Sequence, residues 1–297
     1  MHASIDVAYL TSGIHDPDLD GSLQALNRSG LTCEAVNWSC RDTDWSRYRS
    51  AVVRSTWDYI EDREAFLGAL RTISSTCLLL NPLDVIEWNT DKGYLADLAR
   101  AGCPTVPTLW VDPEVCSSAS ALSRSIPSDW EDLVVKPAVG AGGTGAMRTR
   151  DREKACAYAM SSGRMLVQPY LDAVDSEGEK SFVFLGGEFS HAVTRGPYLP
   201  EEIHRDTLLP PGSEESAWTV ESFEPDAEYL ALAHAALAAV PAASPLPYAR
   251  VDVIRDQRGA PRVAEVEVVE PFLFLGYSDS ASARFAGALR EAIVSAA

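Results

Sequence analysis

The sequence predicts an α/β fold whose C-terminal half turns α+β, and three observations carry that expectation. Residues 1–80 alternate short apolar runs with amphipathic stretches at helical spacing. After residue 166 the apolar runs are mostly of β type and close on one long amphipathic helix. The length, 297 residues with 46% hydrophobic and 23% charged side chains, supplies core for about two domains and excludes bulk disorder or a disulfide-dependent miniprotein.

Taken in order, residues 5–10 form a strand ending in a polar loop, and residues 22–29 a helix with Leu23 and Leu26 on one face and Gly30 as its stop. Residues 51–53 are a second strand, 64–73 a second helix, and 77–80 a third strand ended by Asn81-Pro82. That alternation is a small parallel sheet, and such sheets bind ligands at the carboxyl ends of their strands. The loops at 11–20 and 54–59 are therefore candidate site loops, with Arg54, Ser55, Thr56, Trp57 and Asp58 as substrate residues: Trp57 as a wall and Asp58 holding an ammonium group. Packing of Trp57 and Tyr59 in a domain interface is the competing explanation. Thr90 or Asp91 caps a helix running to about Ala101, and a further helix covers 116–125. A strand at 133–137 leads into a glycine cluster, an extended stretch after Ala146, and a helix at 152–160. A strand at 166–171 enters an acidic, turn-rich loop. Strands follow at 180–185, 187–194, 250–254 and 262–269, with helices at 227–240 and 280–295. Residues 197–223 are proline-rich, charged and aperiodic, the signature of a functional loop. Units at 1–88, 89–165 and 166–297 result.

Forty-three acids against 25 Lys and Arg give a net charge of −18, which repels nucleic acid and anionic membranes. The expected partner is a small amino-acid-like molecule, with a second copy of the chain as the only protein partner considered. Six cysteines are scattered without CxxC or zinc-like spacing, and no basic leader precedes an apolar run, so a cytoplasmic protein with reduced thiols is expected.

Two constellations point to chemistry. Gly140-Ala-Gly-Gly-Thr-Gly145 matches GxGxxG, but Lys136-Pro137 separates it from its strand and no helix opens on it, so it is not a dinucleotide fingerprint. What remains is a glycine hairpin beside a lysine, with backbone N–H groups and an ammonium available to the same phosphates. Glu265 and Glu267 are two apart on a strand and share a face, and Asp252 on the preceding strand can meet them across the hairpin. Three clustered carboxylates are costly unless neutralised, and a hard divalent cation is the natural neutraliser; a solvated acidic face is the alternative.

Asn89-Thr-Asp-Lys92, Val134-Val-Lys136-Pro-Ala-Val-Gly-Ala-Gly-Gly-Thr-Gly145, Val167-Gln-Pro-Tyr-Leu171, and Ala249-Arg-Val-Asp252 followed by Ala264-Glu265-Val-Glu267 resemble the ATP-grasp superfamily in order and spacing. The match runs from about Asn81 to Phe274, and the first segment fits that family's small N-terminal domain. Val53-Arg-Ser-Thr-Trp-Asp-Tyr59 and Glu188-Phe-Ser-His-Ala-Val-Thr-Arg195 are similar to the actinobacterial branch that includes D-cycloserine synthetase. The resemblance implies an ATP-grasp fold: a parallel N-terminal domain, a central lid and a C-terminal antiparallel-sheet domain, with ATP between the last two. It implies Lys92 and Lys136 on the α- and β-phosphates and Gly140, Gly142, Gly143, Thr144 and Gly145 closing over the β- and γ-phosphates. It further implies Gln168, Pro169, Tyr170 and Leu171 as the adenine hinge, and Asp175 or Glu179 on the ribose. Mg²⁺ would lie on Asp252, Glu265 and Glu267, although the family usually has Asn at the last position. Arg195 and Arg250, with Lys136, would be the cations that stabilise the reacting groups.

The implied chemistry is attack of a carboxylate on the γ-phosphorus, followed by displacement of phosphate from the acyl phosphate by an amine. The sharpest version is ring closure of O-amino-D-serine to D-cycloserine. A glutathione-synthetase type of intermolecular ligase, a carboxylate kinase and a non-catalytic nucleotide-binding module are the alternatives. No Cys–His pair or GxSxG motif supplies a covalent nucleophile, and His191 and His204 are expected to be structural or loop residues.

Overall fold

The computed structural model describes residues 5–197, 199 and 219–296. The first strand, β1 (Ile5–Thr11), is the apolar run expected; Val7 to Leu10 are fully buried, as a strand covered on both faces must be. It is followed by α1 (Leu19–Arg28), β2 (Cys33–Asn37), β3 (Tyr48–Ser55), α2 (Arg63–Ser74) and β4 (Leu78–Leu80). The four strands pair in parallel in the order β2-β1-β3-β4. β2 was not expected: it is an edge strand whose residues are all partly or fully exposed, so no apolar run marks it.

Then come α3 (Leu83–Asn89) and α4 (Tyr94–Arg100). One helix from Thr90 or Asp91 was expected, but the chain breaks around Lys92, whose N–H donates to Ala138 O at 2.7 Å instead of joining a helix. Asp91 accepts from Gly93 N at 2.7 Å. The central sheet contains β5 (Leu109–Val111), β6 (Leu133–Pro137), β7 (Met147–Thr149) and β8 (Met165–Pro169), antiparallel in the order β5-β8-β6-β7. α5 (Ala119–Ser125) and α6 (Arg152–Ala159) cover it, capped by Ser118 and Asp151. This layer has its own core, including Val111, Leu122, Val135, Met147, Cys156 and Val167. β8 hydrogen-bonds within it, so residues 166–169, assigned above to the third unit, pair with the second.

The third sheet has five strands and is antiparallel throughout. It is reached through a short α7 (Ala173–Glu177), where a loop was expected. Its strands are β9 (Glu179–Leu185), β10 (Glu188–Arg195), β11 (Val220–Phe223), β12 (Tyr248–Arg255) and β13 (Pro261–Glu267). α8 (Ala227–Ala238) packs on β12 and β13, and α9 (Ala281–Ser295) closes the chain against α1. Most of the loop expected at 197–223, with His204, lies outside the described residues; its last four residues are β11. The first and third sheets share one core, in which Val7, Tyr9 and Val52 pack with Val183, Tyr248 and Phe285.

Candidate active site

Two cavities meet between the central and third sheets. One, with about 880 Å³ of empty space, has apolar walls from Val106, Val134, Ile254 and Ala264 and includes the hinge Gln168 to Leu171, Lys136 and Glu179. The other, about 560 Å³, is bounded by Trp57, Arg195, Arg250, Glu267, Glu270 and Phe272. Lys92, Gly140, Gly142, Gly143 and Glu265 line both, so they form the shared wall.

β6 ends at Pro137 and delivers Lys136 to the first cavity. The glycine hairpin turns back through Thr144 N to Ala141 O and Ala146 N to Gly143 O bonds of 3.0 and 2.8 Å, and the Tyr158 hydroxyl donates to Gly145 O at 2.8 Å. Gly145 has φ +75°, and a Cβ there would sit 2.9 Å from Pro137 Cγ, so the turn requires glycine. The Lys92 ammonium donates to Gly140 O at 2.8 Å and is ion-paired with Glu265. Burial opposes its charge, but Glu265 outweighs burial and holds the ammonium above its ordinary pKa. Lys136 behaves oppositely: burial pushes it down, attraction by Glu265 does not compensate, and Lys92 repels it.

In the third sheet, cross-strand register builds an alternating row of charges. Arg195 faces Glu179 across β10 and β9, and Arg250 and Asp252 on β12 face Glu267 and Glu265 on β13. Arg250 grips Asp252 with two 2.9 Å bonds and pairs with Glu267; Arg195 bridges Asp252 and Glu179 at 2.9 and 3.0 Å. Ser181 Oγ donates to Asp252 at 2.7 Å. Burial would raise the Asp252 pKa, but Arg195 and Arg250 hold it below the ordinary carboxylate range. Glu267, where burial outweighs Arg250, is pushed up to about 7, and Glu270, buried and close to Glu267, to about 8. Burial also raises Glu179 despite Arg195.

Asp252, Glu265 and Glu267 have ligand atoms within 4.8 Å of one another, as the metal reading requires. Glu265 and Glu267 each share one oxygen with a cation and keep the other free of partners among the described residues. These two fit a divalent ion directly. Asp252 has four donors on its two oxygens and joins only by releasing one.

The ribose alternatives separate: Glu179 lines the first cavity, whereas Asp175 accepts from Tyr170 Oη at 2.6 Å and lies 3.6 Å from Arg148. The stretch Arg54 to Asp58 departs from expectation. Arg54 is 2% exposed, donates to Pro271 O at 2.8 Å and stacks over Tyr248 and Phe285; Ser55 and Thr56 are fully buried. Asp58 accepts from the Trp38 indole at 2.7 Å. Of these five, only Trp57 lines either of the two cavities, with its ring against Phe272 and its N–H on Glu270 O. The physical reason is that residues 270–274 occupy the end of the first sheet where a ligand was expected. His191 is structural: its Nε2 donates between Leu273 O and Phe274 O, at 2.9 and 3.1 Å. Sequence reasoning missed Glu270 and gave Asn89 a place in a motif but no role; its side chain clamps Val266 O and Val268 N at 2.7 and 2.9 Å, fixing the strand that carries the acids.

Among the described residues no helix is long and apolar enough to cross a membrane. Residues 7–81 match the model of the N-terminal domain of D-cycloserine synthetase DcsG. The cycloserine biosynthesis protein DcsG of Streptomyces lavendulae is 33% identical over 291 residues, covering 93% of this chain and 94% of that protein. The crystal structure of D-cycloserine synthetase DcsG superposes with a TM-score of 0.87 at 32% identity over 97% of this chain and 99% of the other. D-alanine–D-alanine ligase of Bacillus anthracis shares the fold alone, with a TM-score of 0.64 at 14% identity over 99% and 98%. The chain belongs to the D-cycloserine synthetase DcsG family of ATP-grasp ligases.

Proposed function

We propose that this ligase closes O-amino-D-serine to D-cycloserine with ATP and Mg²⁺, through an acyl phosphate. The observation that carries the reading is the shared wall: one face of Lys92, the glycine hairpin and Glu265 borders an apolar cavity, the other a charged one. A nucleotide in the first would present its terminal phosphate at that wall to a carboxylate in the second. The relationship to proteins named for D-cycloserine synthesis supports that product.

In this reading the Leu171 N–H, without a partner among the described residues, reads the adenine edge, and Glu179 is the ribose acid. Lys136, Lys92 and the hairpin N–H groups hold the phosphates. Mg²⁺ on Glu265 and Glu267, with Asp252, would screen the repulsion between phosphate and the incoming carboxylate. Arg250 has one Nη1 N–H left after Asp252, Glu267 and Phe272 O, and that group stabilises the tetrahedral oxyanion. An aminooxy nitrogen is largely neutral near pH 7, so ring closure needs no strong base, and a unimolecular step gains an effective molarity of about 10⁵ M or more. Supplying O-amino-D-serine, ATP and Mg²⁺ should give the cyclic product with one ADP per ring. Turnover only with a separate amine would replace ring closure with intermolecular ligation.

A further inference from the structure

Residues 270–274 form a strap in which every backbone carbonyl is held by a side chain. Trp57 Nε1 donates to Glu270 O at 2.9 Å, Arg54 to Pro271 O at 2.8 Å, and Arg250 Nη1 to Phe272 O at 3.1 Å. His191 takes Leu273 O and Phe274 O. Phe272, Leu273 and Phe274 are buried, so the strap is fixed in position. Its first side chain, Glu270, is 7% exposed and lies in the wall of the second cavity.

The cations around the cavity are each ion-paired to another acid. Glu265 is paired with Lys92, Glu267 with Arg250, and Asp252 and Glu179 with arginines. Glu270 has no ion pair and no side-chain hydrogen bond among the described residues, and it is outside the cluster of three acids that fits a metal. A carboxyl group without an ion pair at the wall of a cavity gains an attractive partner when a cation enters that cavity. An α-amino acid carries such a cation beside the carboxylate that is to be activated.

Resting on the function proposed above, we infer that Glu270 is the substrate's ammonium anchor: it binds the α-ammonium of the amino acid while the substrate carboxylate faces the shared wall. It thereby sets specificity for α-amino acids over their desamino analogues, and Arg54, Trp57 and His191 act as positioning residues through the strap. An ammonium–carboxylate contact in a site shielded from water is worth roughly tenfold to a hundredfold in affinity.

The test is calorimetric binding to the protein saturated with Mg²⁺ and a non-hydrolysable ATP analogue, so it does not depend on turnover. O-amino-D-serine is compared with 3-(aminooxy)propanoic acid, which lacks only the α-ammonium. The wild type should prefer the first by tenfold or more, Glu270→Gln should reduce the preference to within about threefold, and Glu270→Asp should restore part of it. Binding of Mg·ADP reports whether each variant is folded. Equal weakening of both ligands in Glu270→Gln, or a wild type without the preference, overturns the assignment. Ring formation by the wild type is scored separately: its absence overturns ring closure, while the binding ratio still decides the role of Glu270.

Discussion

Replacing Lys136 by Met should separate catalysis from stability. The side chain keeps its length and loses an ammonium that has no hydrogen-bond partner among the described residues and lines the nucleotide cavity. Removing one cation aimed at developing phosphate charge costs about 3–4 kcal/mol, or a hundredfold to a thousandfold in turnover. Stability should move the other way. Burial lowers the Lys136 pKa from its ordinary 10.5, so at neutral pH its charge is less favourable folded than unfolded and opposes folding. The variant's Tm should therefore be unchanged or higher at pH 7, and any gain should fade as pH rises through the lowered folded pKa and vanish above 10.5, where the lysine is neutral in both states. ADP release and thermal unfolding at several pH values provide the assay. A fall in Tm, or turnover within tenfold of the wild type, would refute the reasoning.

Asp252→Asn should do the reverse to stability, because it leaves two buried guanidinium groups short of charge. We expect a loss of about 3 kcal/mol in urea unfolding. The Asp252 pKa is depressed in the fold, so its stabilisation is complete above the ordinary 3.8 and lost as pH falls through the folded value; the deficit of the variant should shrink in acid. Glu265→Gln should lower ADP release at least a hundredfold while Mg·ADP binding weakens, measured by coupled assay and calorimetry. Gly178→Ala should destabilise by about 2–3 kcal/mol, because φ is +72° and a Cβ would meet Arg195 O at 2.5 Å; chemical unfolding checks it. Asp58→Asn should leave the KM for the amino-acid substrate unchanged in steady-state kinetics, since Asp58 serves the Trp38 indole.

How much of the site was legible depended on whether local pattern or distant contact places each residue. Glu265 and Glu267 could be read because acids two apart in an apolar strand must share a face, and register brings Asp252 opposite Glu265. Lys136 and the hairpin could be read because glycine, proline and lysine are local signals. The position of Lys92 was found by resemblance, while its helix was misjudged: a bond to Ala138 O, 46 positions on, overrides helical propensity. The rule that ligands bind at strand ends failed at Arg54 because another part of the same chain fills that place. Arg54 to Pro271 spans 217 residues and Trp57 to Glu270 spans 213, distances over which no spacing in the sequence speaks. Glu270 was illegible for the same reason.

The shared core of the first and third sheets also bears on how the chain is made. Tyr248 Oη reaches Val53 O across 195 residues, and Phe285 and Leu289 of α9 pack among Val7, Tyr9 and Leu26. At 5–20 residues per second a ribosome needs about 10–40 s to synthesise that interval. During that time the first sheet is out of the tunnel with one apolar side uncovered, while the central layer, whose core is built from residues 109–167, can already close. The first-made strands are thus the last to be completed, and removal of α9 should expose them to proteolysis before it disturbs β5 to β8.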